Sequence, residues 1–201
     1  MKQALLIGCG NKRGSQIVLG CKEAGYSVIN IGSSASEIND VQNIVIEWDK
    51  LDIASLHKCL KKINHDIDFI FFNQNSSSLC EIDFTESKKT LDNWSIIKSW
   101  TKSYWLSCQL PYFLLHTIDN KLKSGTIIGW MLSGFIDISK EGVEDHPDYS
   151  GYKFTNYLLM RNFNKKFPCF GINPSFSDNK DLKTLVKNIC LNNVICNGEI
   201  F

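Results

Sequence analysis

A short apolar run followed by three glycines constrains this chain more than any other stretch. Residues 4–7 are apolar without interruption, as in a buried strand of a parallel sheet. Gly8, Gly10 and Gly14 follow, and residues 17–21 resume an apolar pattern with helical spacing. Glycine tolerates positive φ and has no Cβ, so its backbone can approach another group closely. The pattern predicts a strand, a glycine turn and a helix.

A turn of this kind is suited to binding phosphate. The helix after it directs its first N–H groups and the positive end of its dipole toward the turn. We therefore interpret Gly8, Gly10 and Gly14 as a candidate site for the pyrophosphate of a dinucleotide. An ordinary strand-to-helix turn and the glycine loop of a methyltransferase share the pattern. A methyltransferase usually has an acidic residue at the end of the second strand, and the second predicted strand does not end in one.

Composition indicates one globular domain over residues 1–201. Hydrophobic residues make up 43% of the 201 residues, which argues against disorder and suffices for a single core. A formal net charge of +1 gives no indication of nucleic acid or an anionic membrane as partner. The eight cysteines lack the spacing of zinc sites and disulfide frameworks, so we expect free thiols and no metal. Because no membrane span or signal peptide is visible, we expect a cytoplasmic protein.

Apolar runs alternate with segments of helical periodicity along the chain. This alternation predicts a doubly wound, three-layer α/β sandwich of the Rossmann type, with a mainly parallel sheet of seven strands. The strands are expected at residues 4–7, 26–31, 43–47, 67–72, 126–132, 167–172 and 194–200.

The end of the second predicted strand bears on the choice between NAD and NADP. A carboxylate there accepts from the adenosine ribose of NAD, whereas its absence beside a basic residue favours NADP. Ser33 and Ser34 follow this strand, and Lys12 and Arg13 lie in the glycine turn. We therefore predict NADP, held in part by a guanidinium–phosphate contact, with NAD the less favoured cofactor. The alternatives are that the basic residues are solvated loop charges, or that Glu37, further along, is a ribose ligand.

Polar residues also follow the fourth predicted strand. Residues 67–72 form an apolar run interrupted by one aspartate, and Asn73, Gln74 and Asn75 come directly after it. Ligands of doubly wound sheets bind beyond the carboxyl ends of the strands. These three residues are therefore candidate cofactor contacts.

Three residues in the second half of the chain resemble the catalytic set of the short-chain dehydrogenase/reductase family. Ser133 stands at the end of the fifth predicted strand, and Tyr149 and Lys153 form a Tyr-x-x-x-Lys pair at a helix start. The resemblance implies hydride transfer between nicotinamide and a carbonyl or alcohol, with Tyr149 as general acid and base. A free tyrosine has a pKa of about 10, and a lysine one helical turn away would lower it. Lys153 would also hold the ribose hydroxyls, and Ser133 would donate to the substrate oxygen; coincidental spacing is the alternative.

The other motifs of that family have counterparts in the same order. Residues 9–16 resemble its TGxxxGxG turn, and Asp49 resembles its adenine-contacting aspartate. Residues 72–75 are similar to its Asn-Asn-Ala-Gly loop, and Pro174 to the start of its Pro-Gly pair. Residues 197–200 are similar to its closing strand. The resemblance covers essentially the whole chain and implies an NAD(P)-dependent oxidoreductase whose cofactor contacts include these positions.

The chain departs from the family's pattern at several positions. Gln16 replaces the third glycine of the turn, and Gln74 and Asn75 replace Ala-Gly. The family's catalytic asparagine in the long helix has no clear match, and Thr101 falls nearest to its place. Little chain separates Pro174 from the last predicted strand, so a substrate lid must be short or absent. These departures favour a second hypothesis, a dinucleotide-binding regulator or partner subunit with little or no turnover.

The helix predicted at residues 91–116 is rich in large aromatic residues, among them Trp94, Trp100 and Trp105. They occupy more than one face, so we expect one face on the sheet and another in the two-fold interface of a homodimer or homotetramer. A helix sandwiched within the monomer is the alternative. Pro111 should kink or interrupt this helix unless it begins a new turn.

Overall fold

The computed structural model of this protein covers most of the predicted α/β domain. The described residues are 1–47, 53–61, 63, 65–74, 101, 104–132, 147–173 and 179–201. At residues 55, 147–149, 179 and 180 the backbone is described but not the side chain.

Strands and helices alternate through these residues. The strands are Lys2–Ile7 (β1), Tyr26–Gly32 (β2), Val41–Val45 (β3), Ile67–Phe72 (β4), Leu122–Met131 (β5), Cys169–Ile172 (β6) and Glu199–Ile200 (β7). The helices are Lys12–Glu23 (α1), Ile53–Lys61 (α2), Leu110–Thr117 (α3), Pro147–Phe163 (α4) and Asn179–Cys190 (α5). A π-helical turn, Trp105–Gln109, leads directly into α3, and a short 3₁₀ turn, Asp119–Lys121, follows it.

The strands form one parallel sheet in the order β3-β2-β1-β4-β5-β6-β7. The order reverses between β1 and β4, since the chain winds outward from β1 in one direction and then in the other. Ligands of doubly wound sheets bind beyond the carboxyl ends of the strands at this point. The predicted Rossmann-type fold with a seven-stranded parallel sheet is confirmed.

Each face of the sheet is covered by a hydrophobic core, which accounts for the continuous apolar runs in the sequence. Successive side chains of β1 point to opposite faces. Leu5 and Ile7 belong to the core beneath α2, α3 and α4, whereas Ala4 and Leu6 belong to the core beneath α1 and α5. The sheet is thereby the middle layer of three.

β5 is longer than the apolar pattern predicted. It begins at Leu122 rather than at residue 126, and so includes Ser124 and Gly125. Its pairing with β4 shifts register between Ile67 and Phe69, as at a β-bulge. The irregular pairing lets polar residues continue the strand ahead of its buried half.

The two edge strands also differ from their predicted bounds. β3 is Val41–Val45 rather than 43–47, and its side chains are mostly exposed. β7 is Glu199–Ile200 rather than 194–200, and Ile195, within the predicted strand, is 83% exposed. Edge strands pack on fewer neighbours, so apolar residues near them are a weaker guide to pairing.

Pro111 lies in the first turn of α3, directly after the π-helical turn. A proline is tolerated there because it has no N–H to contribute to a helical hydrogen bond. It therefore begins a new helical segment, which is one of the two outcomes that we expected.

Candidate functional site

The glycine turn is held by hydrogen bonds from both of its ends. Gly8 has φ of +77° and donates its N–H to the Ile31 carbonyl at 2.8 Å. Asn11 is the N-cap of α1, and its side chain accepts from the Gly14 N–H at 2.7 Å. The first turn of α1 is thus fixed where its N–H groups point beyond the carboxyl end of β1.

Two of the glycines are required by close packing of the backbone. A Cβ on Gly10 would lie 2.2 Å from Ser34 Oγ and 2.5 Å from its carbonyl oxygen. A Cβ on Gly14 would lie 2.4 Å from Cys9 Cα. Side chains are excluded at both positions, so the turn keeps the bare backbone that a phosphate group needs for close approach. Ser34, a predicted cofactor contact, packs against this turn and remains exposed.

Asn30, in the middle of β2, is a residue of the site that sequence reasoning missed. Its side chain is buried; Oδ1 accepts from the Cys9 N–H at 3.1 Å. Its Nδ2 donates to the Ser34 carbonyl at 3.3 Å and to Asn43 Oδ1 at 3.1 Å. Asn30 therefore ties the glycine turn to the segment after β2. An amide side chain among the apolar residues 28–31 was the available signal.

Asn73 and Gln74 lie where they were predicted, directly beyond β4, and both are buried. Asn73 donates its N–H to the Ile7 carbonyl and its Nδ2 to the Gly8 carbonyl, each at 2.8 Å. Gln74 Nε2 donates to the Leu106 carbonyl at 3.0 Å. These side-chain N–H groups therefore support the protein backbone around the site.

The basic residues of the turn differ in their surroundings. Lys12 is exposed, as is Ser33, whereas Arg13 is half-buried. The positive charge of Arg13 acts on Lys153 and contributes to a lowered pKa there. Arg13 therefore brings its charge toward the side of the site where Lys153 lies.

Lys153 is a buried lysine at the carboxyl end of β5. It is 2% exposed, and its Nζ donates to the Met131 carbonyl at 2.9 Å. Burial and, to a smaller extent, the Arg13 charge lower the pKa of Lys153 to about 7, with Cys108 opposing both. A lysine titrating near neutral pH at the ligand-binding edge is a mark of a functional site.

Tyr149 precedes Lys153 by one turn in α4, as the sequence predicted. Its side chain is not described, so its contacts stay predictions. The helical residue Thr101 is exposed. The remaining predicted site residues lie outside the described residues: Ser133, Asp49, Asn75 and Pro174.

Within the described residues, no helix is long and apolar enough to cross a membrane. In the same part of the chain, no group of three or more His, Cys, Asp or Glu side chains is placed to hold a metal ion.

No protein-family model and no characterised protein sequence matches the chain significantly. Solved structures do match it over its length. The NADP complex of RhlG from Pseudomonas aeruginosa has a TM-score of 0.77 at 15% identity, covering 100% of this chain and 93% of that one. A variant of a Serratia marcescens short-chain dehydrogenase/reductase has a TM-score of 0.74 at 12% identity, with coverages of 100% and 95%. A short-chain dehydrogenase family protein from Francisella tularensis has a TM-score of 0.70 at 16% identity, with coverages of 100% and 96%.

Proposed function

We propose that this chain, whose fold is that of the short-chain dehydrogenases/reductases, is an NADP-dependent oxidoreductase acting on a carbonyl or alcohol. The observation that carries the proposal is Lys153, buried beyond β5 and one helical turn after Tyr149. A chance Tyr–Lys pair on the surface would leave the lysine in solvent. The NADP complex of RhlG, which shares this fold, supports the choice of cofactor.

The glycine turn fits a dinucleotide. A side chain at Gly10 or Gly14 would collide with Ser34 or Cys9, so the turn presents bare backbone next to the N-terminus of α1. Backbone N–H groups there would hold the pyrophosphate. Bound NADP would supply the hydride acceptor or, when reduced, the hydride. β2 ends in Gly32 without a carboxylate, and Arg13 supplies a guanidinium for the 2′-phosphate.

The protein's own residues would hold and move the proton. In carbonyl reduction the Tyr149 hydroxyl donates a proton to the substrate oxygen, and Ser133 donates a hydrogen bond to the same atom. A positive charge on Lys153 favours the tyrosinate that remains, because opposite charges lower the pKa of the phenol. Lys153 also reaches the ribose hydroxyls. Asp49, Asn75 and Pro174 complete the cofactor contacts in this proposal, with the residues of the glycine turn and Asn73 and Gln74.

Replacing Tyr149 with phenylalanine tests the enzyme against a binding protein without turnover. The ring stays and the proton donor is lost, so we expect turnover to fall by ~10²–10⁴-fold with NADPH affinity almost unchanged. The measurement is a fluorescence titration with NADPH, followed by a carbonyl panel monitored at the nicotinamide absorbance. Normal turnover by this variant would remove Tyr149 from the mechanism. NADPH binding without oxidation by any carbonyl would favour the regulator or partner subunit instead.

We also propose a homodimer or homotetramer that associates through the helices. Tyr104, Tyr112, Phe154 and Leu158 are 48%, 50%, 41% and 51% exposed. Tyr104 and Tyr112 line a groove of about 610 Å³ between the π-helical turn, α3 and α4. Large apolar side chains exposed together often mark an interface. We expect light scattering at micromolar concentration to give at least a dimer, and Leu158→Glu to shift it toward the monomer. A monomeric wild type would contradict the interface.

The proposal places the protein in the cytoplasm. The described cysteines are free thiols, and most of them are buried. Free buried thiols suit a reducing compartment.

A further inference from the structure

Among the described residues, only the nitrogen of the Gln74 side-chain amide has a hydrogen-bond partner. Gln74 is 7% exposed, and its Nε2 donates to the Leu106 carbonyl at 3.0 Å. Its Oε1 is fully buried and has no hydrogen-bond partner in the described part of the chain. Buried polar atoms in folded proteins nearly always have a partner, and an ordered water is a common one. Oε1 therefore marks a place for a buried donor.

The Leu106 carbonyl is available to Gln74 because of the π-helical turn. The Leu110 N–H donates to the Trp105 carbonyl, one residue further back than in an α-helix. The next N–H along the helix would belong to residue 111, but Pro111 has none. The Leu106 carbonyl therefore receives a hydrogen bond neither from residue 110, the donor in an α-helix, nor from residue 111, the donor in a π-helix. The side-chain amide of Gln74 donates to it instead.

The π-helical turn also packs against α4, the helix that carries Lys153. Cys108, in this turn, is buried, and it lines the same groove as Thr155 of α4, two residues after Lys153. Burial raises the pKa of Cys108 to about 11, while the Lys153 charge acts to lower it. The two side chains therefore lie within electrostatic reach of each other. A displaced turn would open the surroundings of Lys153 to water.

We propose that Gln74 is a positioning residue of the active site: its amide ties the π-helical turn to β4, keeps water from Lys153, and binds a buried water through Oε1. The role of Gln74 toward Lys153 rests on the proposed function, whereas its hydrogen bond to the Leu106 carbonyl does not. Burial is the largest cause of the lowered pKa of Lys153. Loss of the tie therefore raises that pKa toward the value of a free lysine. The described groups facing Lys153 are Arg13 from α1, Cys108 from the π-helical turn and the Met131 carbonyl from β5.

A double-mutant cycle tests the tie on the full chain without cofactor. Gln74→Leu removes the amide nitrogen and oxygen and keeps a similar side-chain volume. Pro111→Ala gives residue 111 a backbone N–H, which can donate to the Leu106 carbonyl at the five-residue spacing of a π-helix. We expect Gln74→Leu to lower the folding equilibrium constant by about 10-fold or more in the wild-type background. In the Pro111→Ala background we expect less than about 3-fold, because the carbonyl keeps a donor. Equal losses in the two backgrounds would overturn the tie.

A titration of Lys153 tests whether Gln74 acts on the active site or only stabilises the fold. The ¹³Cε shift of Lys153, assigned with Lys153→Met, reports its midpoint in the cofactor-free protein. We expect Gln74→Leu to raise this midpoint by about one pH unit or more, and Pro111→Ala to restore it in the double variant. Gln109→Leu, an exposed position in the same turn, is the matched control and should leave it unchanged. An unmoved midpoint in Gln74→Leu would refute the effect on Lys153. Failure of the wild type to bind NADPH would contradict the proposed function and leave the tie standing.

Discussion

The glycine turn and the π-helical turn both reach the ligand-binding edge of the sheet, but their polar groups are satisfied to different degrees. At the glycine turn, Asn30 uses both ends of its amide, and Asn73 donates to the Gly8 carbonyl. On the face of the sheet covered by α3 and α4, Gln74 Oε1, Trp130 Nε1 and Asn156 Oδ1 are buried and have no hydrogen-bond partner among the described residues.

This difference suits the two regions to different roles toward a ligand in the proposed function. A fully hydrogen-bonded turn holds its backbone in place before anything binds, as a phosphate site requires. Trp130 stacks on Phe72 and Phe163, so its indole N–H is held in a fixed direction and needs a small acceptor, such as a water oxygen. An unpaired donor and two unpaired acceptors are what buried waters bridge. In the proposed function, proton transfer belongs to the second region and phosphate binding to the first.

The largest effect is expected from Lys153→Met, which breaks the second region. Methionine keeps much of the side-chain volume and removes the charge. We expect turnover to fall by ~10²–10⁴-fold, and NADPH to bind more weakly as well, because Lys153 acts on both Tyr149 and the ribose. Steady-state kinetics and a fluorescence titration measure the two effects. A variant that loses turnover but binds NADPH normally would confine Lys153 to the proton step.

The same variant tests the buried state of the lysine through pH. The pKa of Lys153 in the folded protein, about 7, is below the unfolded value of about 10.4. The unfolded chain therefore binds more protons between these values, so the penalty of burying the charge is full below pH 7 and disappears as pH rises through about 10. We expect the free energy of unfolding of the wild type to rise over this window relative to Lys153→Met. Parallel curves would show that Lys153 titrates normally.

A smaller effect is expected from Arg13→Ala, which separates the two regions. Arg13 lies in the first turn of α1, and its charge acts on Lys153. Loss of a charge-assisted phosphate contact should weaken NADPH by about 1.5–3 kcal/mol and leave NADH nearly unchanged. Removing a positive charge should also raise the pKa of Lys153. Parallel titrations with both cofactors test this, with Lys165→Ala, at an exposed lysine after α4, as control. Equal weakening of both cofactors would remove the NADP assignment.

The smallest effect is expected from Asn30→Ala, which breaks the first region. The Cys9 N–H loses its acceptor in a buried position. We expect the free energy of unfolding to fall by about 1–2 kcal/mol, with weaker NADPH binding as the turn loosens. Denaturant unfolding measures the first effect. Gln42→Ala serves as control, because Gln42 is an exposed residue of the neighbouring strand β3. An equal fall in the free energy of unfolding in both variants would contradict a special contribution from the buried hydrogen bonds of Asn30.

The comparison also explains which features the sequence predicts. β4 was predicted with the bounds that the structure shows, since a continuous buried strand leaves a continuous apolar run. The glycine turn could be predicted because its close packing permits only glycine at positions 10 and 14, which leaves a visible pattern in the sequence. Such constraints act locally, within one strand or one turn.

The partners of buried amides could not be predicted in the same way. Gln74 stood out as a departure from the family's loop, but Leu106 lies 32 residues further along the chain. Its carbonyl is free because a helix changes its hydrogen-bond spacing, which apolar periodicity does not report. Asn30 is similar: its position was visible in the sequence, but its bonds to Cys9 and Asn43 depend on how three segments meet.

The short β7 has a consequence for how copies of this protein can assemble. A strand at the border of a sheet can recruit a strand from another molecule through its unpaired N–H and C=O groups. With the two residues Glu199–Ile200, β7 has few such groups on its outer side. A sheet continued across two subunits at this border would rest on very few hydrogen bonds. Strand addition at this border would therefore contribute little to the proposed assembly through the helical faces.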